Sequence, residues 1–289
     1  MTANEPKDGA PAGAVTGSMG PDTYIRQLGL SFSTEGGVST GRLPWAPALR
    51  SANGWIRLGA LAVLADCISG YRAIRDFEGA WIGTSELAIH GPFGEALAGV
   101  VATADLLRRR RTGAVYEVRF HNADGGSPLA VATVTLGLLS RQGERKVPAA
   151  ITGRSAVADA ASALESLDDL LPVERPTDGH GSALSIADEV RNSWGVVSGG
   201  IISLLTEAEA ERVAGLAVGG PCSLEALGMH FLAPGRVGPI VARAALLSDG
   251  HRAHGTAAHL RVRIHDAGAD NRLIATASAT AAPAGPLLR

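Results

Sequence analysis

No run in this 289-residue chain reaches the roughly 18 apolar residues of a membrane span, and no basic segment followed by an apolar core marks a signal peptide. Lysine is almost missing. Only Lys7 and Lys146 are lysines among 26 basic residues, and the formal net charge of −2 leaves none of the basic excess that accompanies nucleic-acid binding. With the Ala and Gly content, the arginine preference looks like coding bias in a GC-rich genome rather than chemistry. Cysteine is scarce too: Cys67 and Cys222 form neither a CxxC pair nor a zinc spacing. Both lie in apolar contexts and read as buried free thiols of a cytoplasmic protein.

What is present is an apolar, moderately charged composition long enough for one large domain or two ordinary ones. Residues 1–22 are rich in Gly, Ala and Pro without an apolar period and read as a disordered lead-in. Short extended pieces follow from Tyr24 to Leu49. Then Ala60 to Ile68 is apolar nearly all round, the mark of a helix enclosed by its fold. Strands are expected at Thr84–His90, Gly99–Leu107, Ala114–Phe120 and Leu129–Leu139, with turns at Gly91-Pro92, Arg108–Gly113 and Asn122–Pro128. Residues 146–181 read as a linker, with a short Ala-rich helix expected over Ser155–Leu171.

After the linker the pattern begins again. Gly195–Glu207 repeats Gly54–Asp66 at a constant offset, 207 less 66 being 141, with Gly200 on Gly59 and Leu205 on Leu64. Ile240–Leu247 matches Val100–Leu107, Arg263-Ile264-His265 echoes Arg119-Phe120-His121, and Ala275–Thr280 echoes Ala130–Thr135. An ordered set of matches whose offset drifts only at turns indicates tandem duplication. Each repeat, a buried helix followed by a strand meander, suits an antiparallel sheet wrapped round one helix, an α+β fold.

The turn at Ser198-Gly199-Gly200 opens the second helix. Glycines there admit close approach, and the free N–H groups of a helix N-terminus attract developing negative charge. Asn192, Gly195, Ser198-Gly199-Gly200 and Glu207 in one repeat, and Asn53 or Ser51, Gly54, Arg57-Leu58-Gly59 and Asp66 in the other, are similar to the signature of PaaI-like acyl-CoA thioesterases. That hotdog-fold family has an Asn, a Gly, a His-Gly-Gly turn and a helix acid. The resemblance runs from about residue 25 to 283, through pattern more than identity. It departs at the His, replaced by Arg57 and Ser198, and at Leu58, which stands for a Gly.

This resemblance implies two tandem hotdog folds, a double hotdog with units at 23–145 and 182–289. It also implies hydrolysis of an acyl-CoA to acid and free CoA, with no cofactor beyond the coenzyme A of the substrate. Family sites lie between units. Gly200 and Glu207 are two turns apart, about 10 Å along a helix, too far to serve one atom. If the two helices run antiparallel, site A combines Asp66 with Asn192, Ser198, Gly199 and Gly200, and site B combines Glu207 with Asn53, Arg57, Leu58 and Gly59. In site A the Gly199 or Gly200 N–H would polarise the carbonyl, Asp66 would activate water or attack, and Asn192 could hold that water. In site B, Arg57 would either bind a carboxylate or phosphate or pair with Glu207 and close the site.

Plainer readings stand beside these. Asp66 and Glu207 can be ordinary helix acids, although an acid among Leu64, Ala65, Cys67 and Ile68 is poorly placed for water. Glu209 and Glu211 suggest that the helix around Glu207 becomes solvated. Asn53 and Asn192 can be turn residues, and Trp55 and Trp194, at matching positions, can be packing or pocket lining. Arg108 and Arg109 belong either to a solvated turn or to a contact with CoA phosphates. His251, His254 and His259 lack a partner acid at metal spacing, so no metal site is expected. A hydratase would have His five residues after the acid, where this chain has Tyr71 and Arg212. A non-catalytic acyl-CoA-binding protein remains the main alternative. Homo-oligomerisation of double-hotdog chains is a further expectation; nucleic-acid and membrane partners are not expected.

Overall fold

Helices without a polar face need cover on every side, and a single sheet supplies it. The computed structural model describes residues 23–78, 81–95, 98–139, 166–167, 171–176, 179–192, 194–247 and 257–284. A short helix α1 (Thr23–Gln27) leads into β1 (Ser31–Glu35) and β2 (Val38–Leu43). The long helix α2 (Leu58–Asp76) precedes β3 (Ile82–His90), β4 (Val100–Arg110), β5 (Gly113–Asn122) and β6 (Pro128–Leu138). Then come β7 (Val173–Glu174), β8 (Ser182–Leu184) and the second long helix α3 (Gly199–Val218). The chain continues through β9 (Cys222–Phe231), β10 (Ile240–Leu246), β11 (Ala258–Asp266) and β12 (Arg272–Pro283).

The strands form one 12-stranded sheet in the order β1-β2-β4-β5-β6-β3-β9-β12-β11-β10-β8-β7. Its centre is the antiparallel β3–β9 pair, with Ala88 opposite Gly228. Outward from that pair the two halves have the same plan, β3-β6-β5-β4-β2-β1 and β9-β12-β11-β10-β8-β7. Their irregularities match as well: β3 carries a bulge between Thr84 and Glu86, and β9 one between Leu224 and Ala226. These ladder positions differ by 140, close to the offset of the helices.

Alternation along the strands sets the layers. On β5, Ala114, Tyr116, Val118 and Phe120 are buried against the helices, while Glu117 and Arg119 turn outward. On β11, Leu260, Val262 and Ile264 are buried and His259, Arg261 and Arg263 are exposed. The core is continuous across the halves, from Leu61 and Leu64 of α2 to Leu204 and Leu205 of α3.

Differences from the sequence reading have local causes. Residues 108–110 do not turn: β4 continues through Arg110, pairing Arg108 with Val115 and Arg109 with Ala114 beyond a bulge. Long arginine stems can cover apolar surface from a strand, and Arg109 places its guanidinium 4.6 Å from the centre of the Phe77 ring. The acids of α3 are not solvated either. Glu209 is 1% exposed, held by Arg212 Nη2 and Nε at 2.8 and 2.9 Å and by the Ser182 hydroxyl at 2.8 Å. Strand β8 covers that side of α3. The strand β7 pairs with β8 from within the stretch read as linker. The expected helix over Ser155–Leu171 falls almost wholly outside the described residues.

One buried carboxylate fastens the loop between β9 and β10. Asp266 accepts N–H bonds from Arg236 at 2.8 Å, Val237 at 3.0 Å and Gly238 at 2.7 Å. Burial alone would raise its pKa, but the N–H groups of Val237, Arg236 and Gly238 together hold it below the usual aspartate value. A depressed pKa contributes stability that is present above the unfolded value and lost as pH falls through the folded one. Asp266→Asn should therefore cost about 2 kcal/mol near neutrality, from charge-assisted bonds to backbone. Urea unfolding should show that the gap to the parent protein narrows as the pH is lowered below the ordinary aspartate range.

Candidate active site

The site begins where α2 and α3 cross. A side chain at Gly200 would put its Cβ 2.8 Å from the Val63 Cα, and one at Gly59 would put it 3.0 Å from the Leu204 Cα. The first is closer than a Cβ sits against backbone and the second is tighter than nearly all such contacts, so glycine eases the approach at both. The contact is reciprocal and antiparallel. The start of α3 meets Val63 and Asp66, and the start of α2 meets Leu204 and Glu207.

This crossing completes both helix starts. A helix leaves its first N–H groups unpaired, and a Ser at the N-cap ordinarily accepts one of them. Here neither Ser198 nor Arg57 makes a side-chain cap bond. The carboxylate of Asp66 does so instead, from the other helix, accepting the Gly200 N–H at 3.2 Å. Glu207 stands at the start of α2, with its Oε2 2.7 Å from where a Gly59 Cβ would be. Each acid thus faces the positive end of the opposite helix dipole.

Beyond that common plan the two sites differ. Site A brings together Asp66, Ser198, Gly199 and Gly200. The Thr84 hydroxyl, on β3, donates a short hydrogen bond to the other Asp66 oxygen. Gly199 packs its backbone against Asp66 Oδ2 and the Phe231 ring, 3.2 and 3.3 Å from a built Cβ. No acceptor holds the Gly199 N–H among the described residues. Asp66 keeps part of its surface open, though its surroundings are dense. Burial raises its pKa more than the Thr84 and Gly200 hydrogen bonds lower it.

In site B the corresponding positions are filled. Arg57 stands where site A has Ser198, Leu58 where it has Gly199, Glu211 where it has Gly70, and Leu224 where it has Thr84. Arg57 Nη1 lies 3.0 Å from Glu211 Oε2 and 4.0 Å from Glu207 Oε2, and Glu211 also accepts the Leu224 N–H at 3.2 Å. Glu207 is completely covered, and neither of its oxygens has a well-formed hydrogen bond. Burial pushes its pKa up and the Glu211 charge adds to that, while Arg57 and the nearby Gly59 and Leu58 N–H groups offset only part.

The asparagines are turn residues in both halves. Asn192 Oδ1 accepts the N–H of Trp194 at 3.0 Å and of Val196 at 3.4 Å, and Asn53 Oδ1 accepts the Trp55 N–H at 3.0 Å. Both sit near their helix starts without a hydrogen bond to Asp66 or Glu207. Arg108 and Arg109 lie at the β4–β5 hairpin. Its turn end adjoins the end of β6, which in turn pairs with the start of β3 near Thr84. They do not touch either acid. Tyr71 stacks on Phe32 and Arg212 is bound to Glu209, so neither enters a site. No group of three His, Cys, Asp or Glu able to hold a metal occurs among the described residues; His251 and His254 lie outside them.

Sequence reasoning missed Thr84, Phe231, Glu211 and Trp81, whose ring meets Trp194 edge-on at 4.2 Å. Thr84 had a usable signal. It is a hydroxyl at a strand position whose counterpart in the other half, Leu224, is apolar. A further consequence concerns Glu207. Its folded pKa is raised, so the folded state holds the proton more tightly than the unfolded chain, and stability falls as pH rises from the ordinary glutamate value to the folded one. Glu207→Gln should remove this loss. Melting curves should show the variant gaining on the parent protein between pH 5 and pH 8, whereas a gap that stays constant with pH would contradict the raised value.

No protein-family model and no curated relative matches the chain. Solved structures do. A putative thioesterase II from Thermobifida fusca has a TM-score of 0.62 at 14% identity, covering 92% of this chain and 100% of that one. An acyl-CoA thioesterase II, TesB2, from Mycobacterium marinum has 0.56 at 14%, covering 91% and 99%. A conserved protein with a hot dog fold from Alicyclobacillus acidocaldarius has 0.53 at 14%, covering 91% and 98%. At such identities the likeness is one of fold: the chain has the architecture of hotdog-fold proteins, thioesterases prominent among them.

Proposed function

We propose that the chain is a tandem double hotdog, with units at 23–145 and 182–289 joined by 146–181, that hydrolyses an acyl-CoA thioester at site A. The observation that carries this reading is the state of Asp66. It is a carboxylate at a helix N-terminus, gripped by the Thr84 hydroxyl and the Gly200 N–H yet only partly covered. Such fixing orients the acid, and its raised pKa makes its carboxylate form a stronger proton acceptor than an ordinary aspartate.

In this reading the thioester carbonyl oxygen approaches the Gly199 N–H, where the positive end of α3 stabilises the charge that develops on it. Asp66 takes a proton from water as the water oxygen bonds to the carbonyl carbon. Collapse of the tetrahedral intermediate breaks the C–S bond, and the proton passes from Asp66 to the departing sulfur. The products are a carboxylic acid and free CoA. Direct attack by Asp66, through an anhydride opened by water, gives the same products. Asn192 acts by holding the turn that presents Ser198 and Gly199, not by binding water. Arg108 and Arg109, on the hairpin beyond the start of β3, supply charge for the phosphates of CoA.

Glu207 has no catalytic part in this scheme, because Arg57, Leu58 and Leu224 close its surroundings. Thiol release from a panel of acyl-CoAs tests the division of labour. Asp66→Asn should lower kcat by at least about 100-fold, while Glu207→Gln should stay within a few-fold of the parent. Since Asp66 must be ionised to accept a proton, kcat/KM should rise with pH through a value above the ordinary aspartate range. Full activity in Asp66→Asn would sink the assignment. Binding of acyl-CoA without turnover by the parent protein would favour a non-catalytic acyl-CoA-binding protein, for which the loss of the signature His at both turns speaks.

A further inference from the structure

The two halves carry a bulky side chain for the helix start on different elements. At the start of α3, Gly199 has none, and the ring of Phe231, at the end of β9, stands over it. Two atoms of that ring lie 3.3 and 3.5 Å from where a Gly199 Cβ would be. At the start of α2 the position matching Gly199 is Leu58, which is buried, and the position matching Phe231 is Gly91.

The sheet fixes that second equivalence from both sides. His90 and His230, just before the two positions, each lie two residues beyond the Ala88–Gly228 pair. Just after them, the Phe93 N–H bonds the Leu129 carbonyl as the Ala233 N–H bonds that of Ile274. A Cβ at Gly91 would come 2.7 Å from the Leu129 carbonyl oxygen, so that position accepts no side chain. Site A therefore pairs a bare helix start with a ring brought by a strand, and site B has the reverse.

The placement of the ring bears on what site A can receive. A thioester with its carbonyl oxygen at the Gly199 N–H has two further arms, the sulfur and the acyl chain. The side toward α2 is shut by the contact of Gly200 with Val63 and by Asp66 Oδ2, 3.2 Å from the Gly199 Cβ position. The charged coenzyme A arm leaves toward solvent. The acyl chain is left with the side on which Phe231 stands, partly buried and packed on the core.

We propose that the Phe231 ring is the wall met by the acyl group at site A, and that it restricts the site to short aliphatic acyl thioesters. This rests on the reading of site A as a thioester site. The first carbons of a chain gain contact with the ring, whereas a longer chain must push the ring out of its packing against the core. Phe231 acts on specificity and handles no proton.

Binding and turnover test this separately. Analogues of acetyl-CoA and octanoyl-CoA with a methylene between sulfur and carbonyl cannot be hydrolysed at that bond, and calorimetry gives their affinities; the two thioesters themselves give kcat/KM. The parent protein should favour the acetyl member of each pair. Phe231→Ala should shift both octanoyl-to-acetyl ratios toward octanoyl by at least about tenfold, and Phe231→Trp should shift them the other way. Each ratio compares two ligands on one preparation, so any loss of folded protein cancels. A parent that prefers the octanoyl member, or variants whose ratios stay within about twofold of the parent while hydrolysis persists, would overturn the wall and leave the catalytic reading standing. Shifted affinities without turnover would uphold the wall and remove the hydrolytic reading. Failure of the parent to bind either analogue would remove both.

Discussion

Everything in this protein hangs on the close crossing of α2 and α3 at Gly59 and Gly200. Two helices normally keep 8–10 Å between axes because their side chains stand between them. Here the glycines remove that spacer, and each helix start comes against the backbone of the other. Once that is fixed, the acid two turns into one helix lies at the amides that open the other. The buried carboxylates, the uncapped Ser198 and Arg57, and the continuous core across both halves all follow from this contact.

The geometry is shared by both sites; the chemistry is not. A carboxylate in a dense environment can remain charged only if its oxygens are served by donors. Asp66 has a hydroxyl and an amide. Glu207 has an apolar residue where the hydroxyl should be, a second acid nearby and an arginine that bonds more closely to that second acid. The same fold position therefore holds an oriented, partly open carboxyl group in one place and a sealed one in the other. Four exchanged residues, Arg57 for Ser198, Leu58 for Gly199, Glu211 for Gly70 and Leu224 for Thr84, account for the difference on a shared plan.

Much of this was legible in the sequence because it is written in spacing. The apolar helix at Leu58–Ala65, the strand periods and the constant offset between Asp66 and Glu207 reflect regular geometry, and the crossed pairing of acids with turns follows from an antiparallel arrangement. What could not be read depended on contacts between distant segments. Thr84 looks like any strand threonine until β3 is laid beside α2. Glu209 looks like a solvated helix acid until β8 covers it. The arginines at 108–110 look like a turn because charge runs usually are; only pairing with β5 makes them a strand.

The exchange of caps between α2 and α3 has one more implication. Where two identical chains meet about a twofold axis, any residue at one helix start appears at the other as well. A change that spoils one site then spoils both. In this molecule both helix starts lie on one polypeptide, and the positions are independent: Ser198 and Arg57, Gly199 and Leu58. The shared architecture is thus freed from shared fate. One helix start can be given over to structural support, its charges locked among themselves, while the other keeps a carboxyl group partly open to solvent.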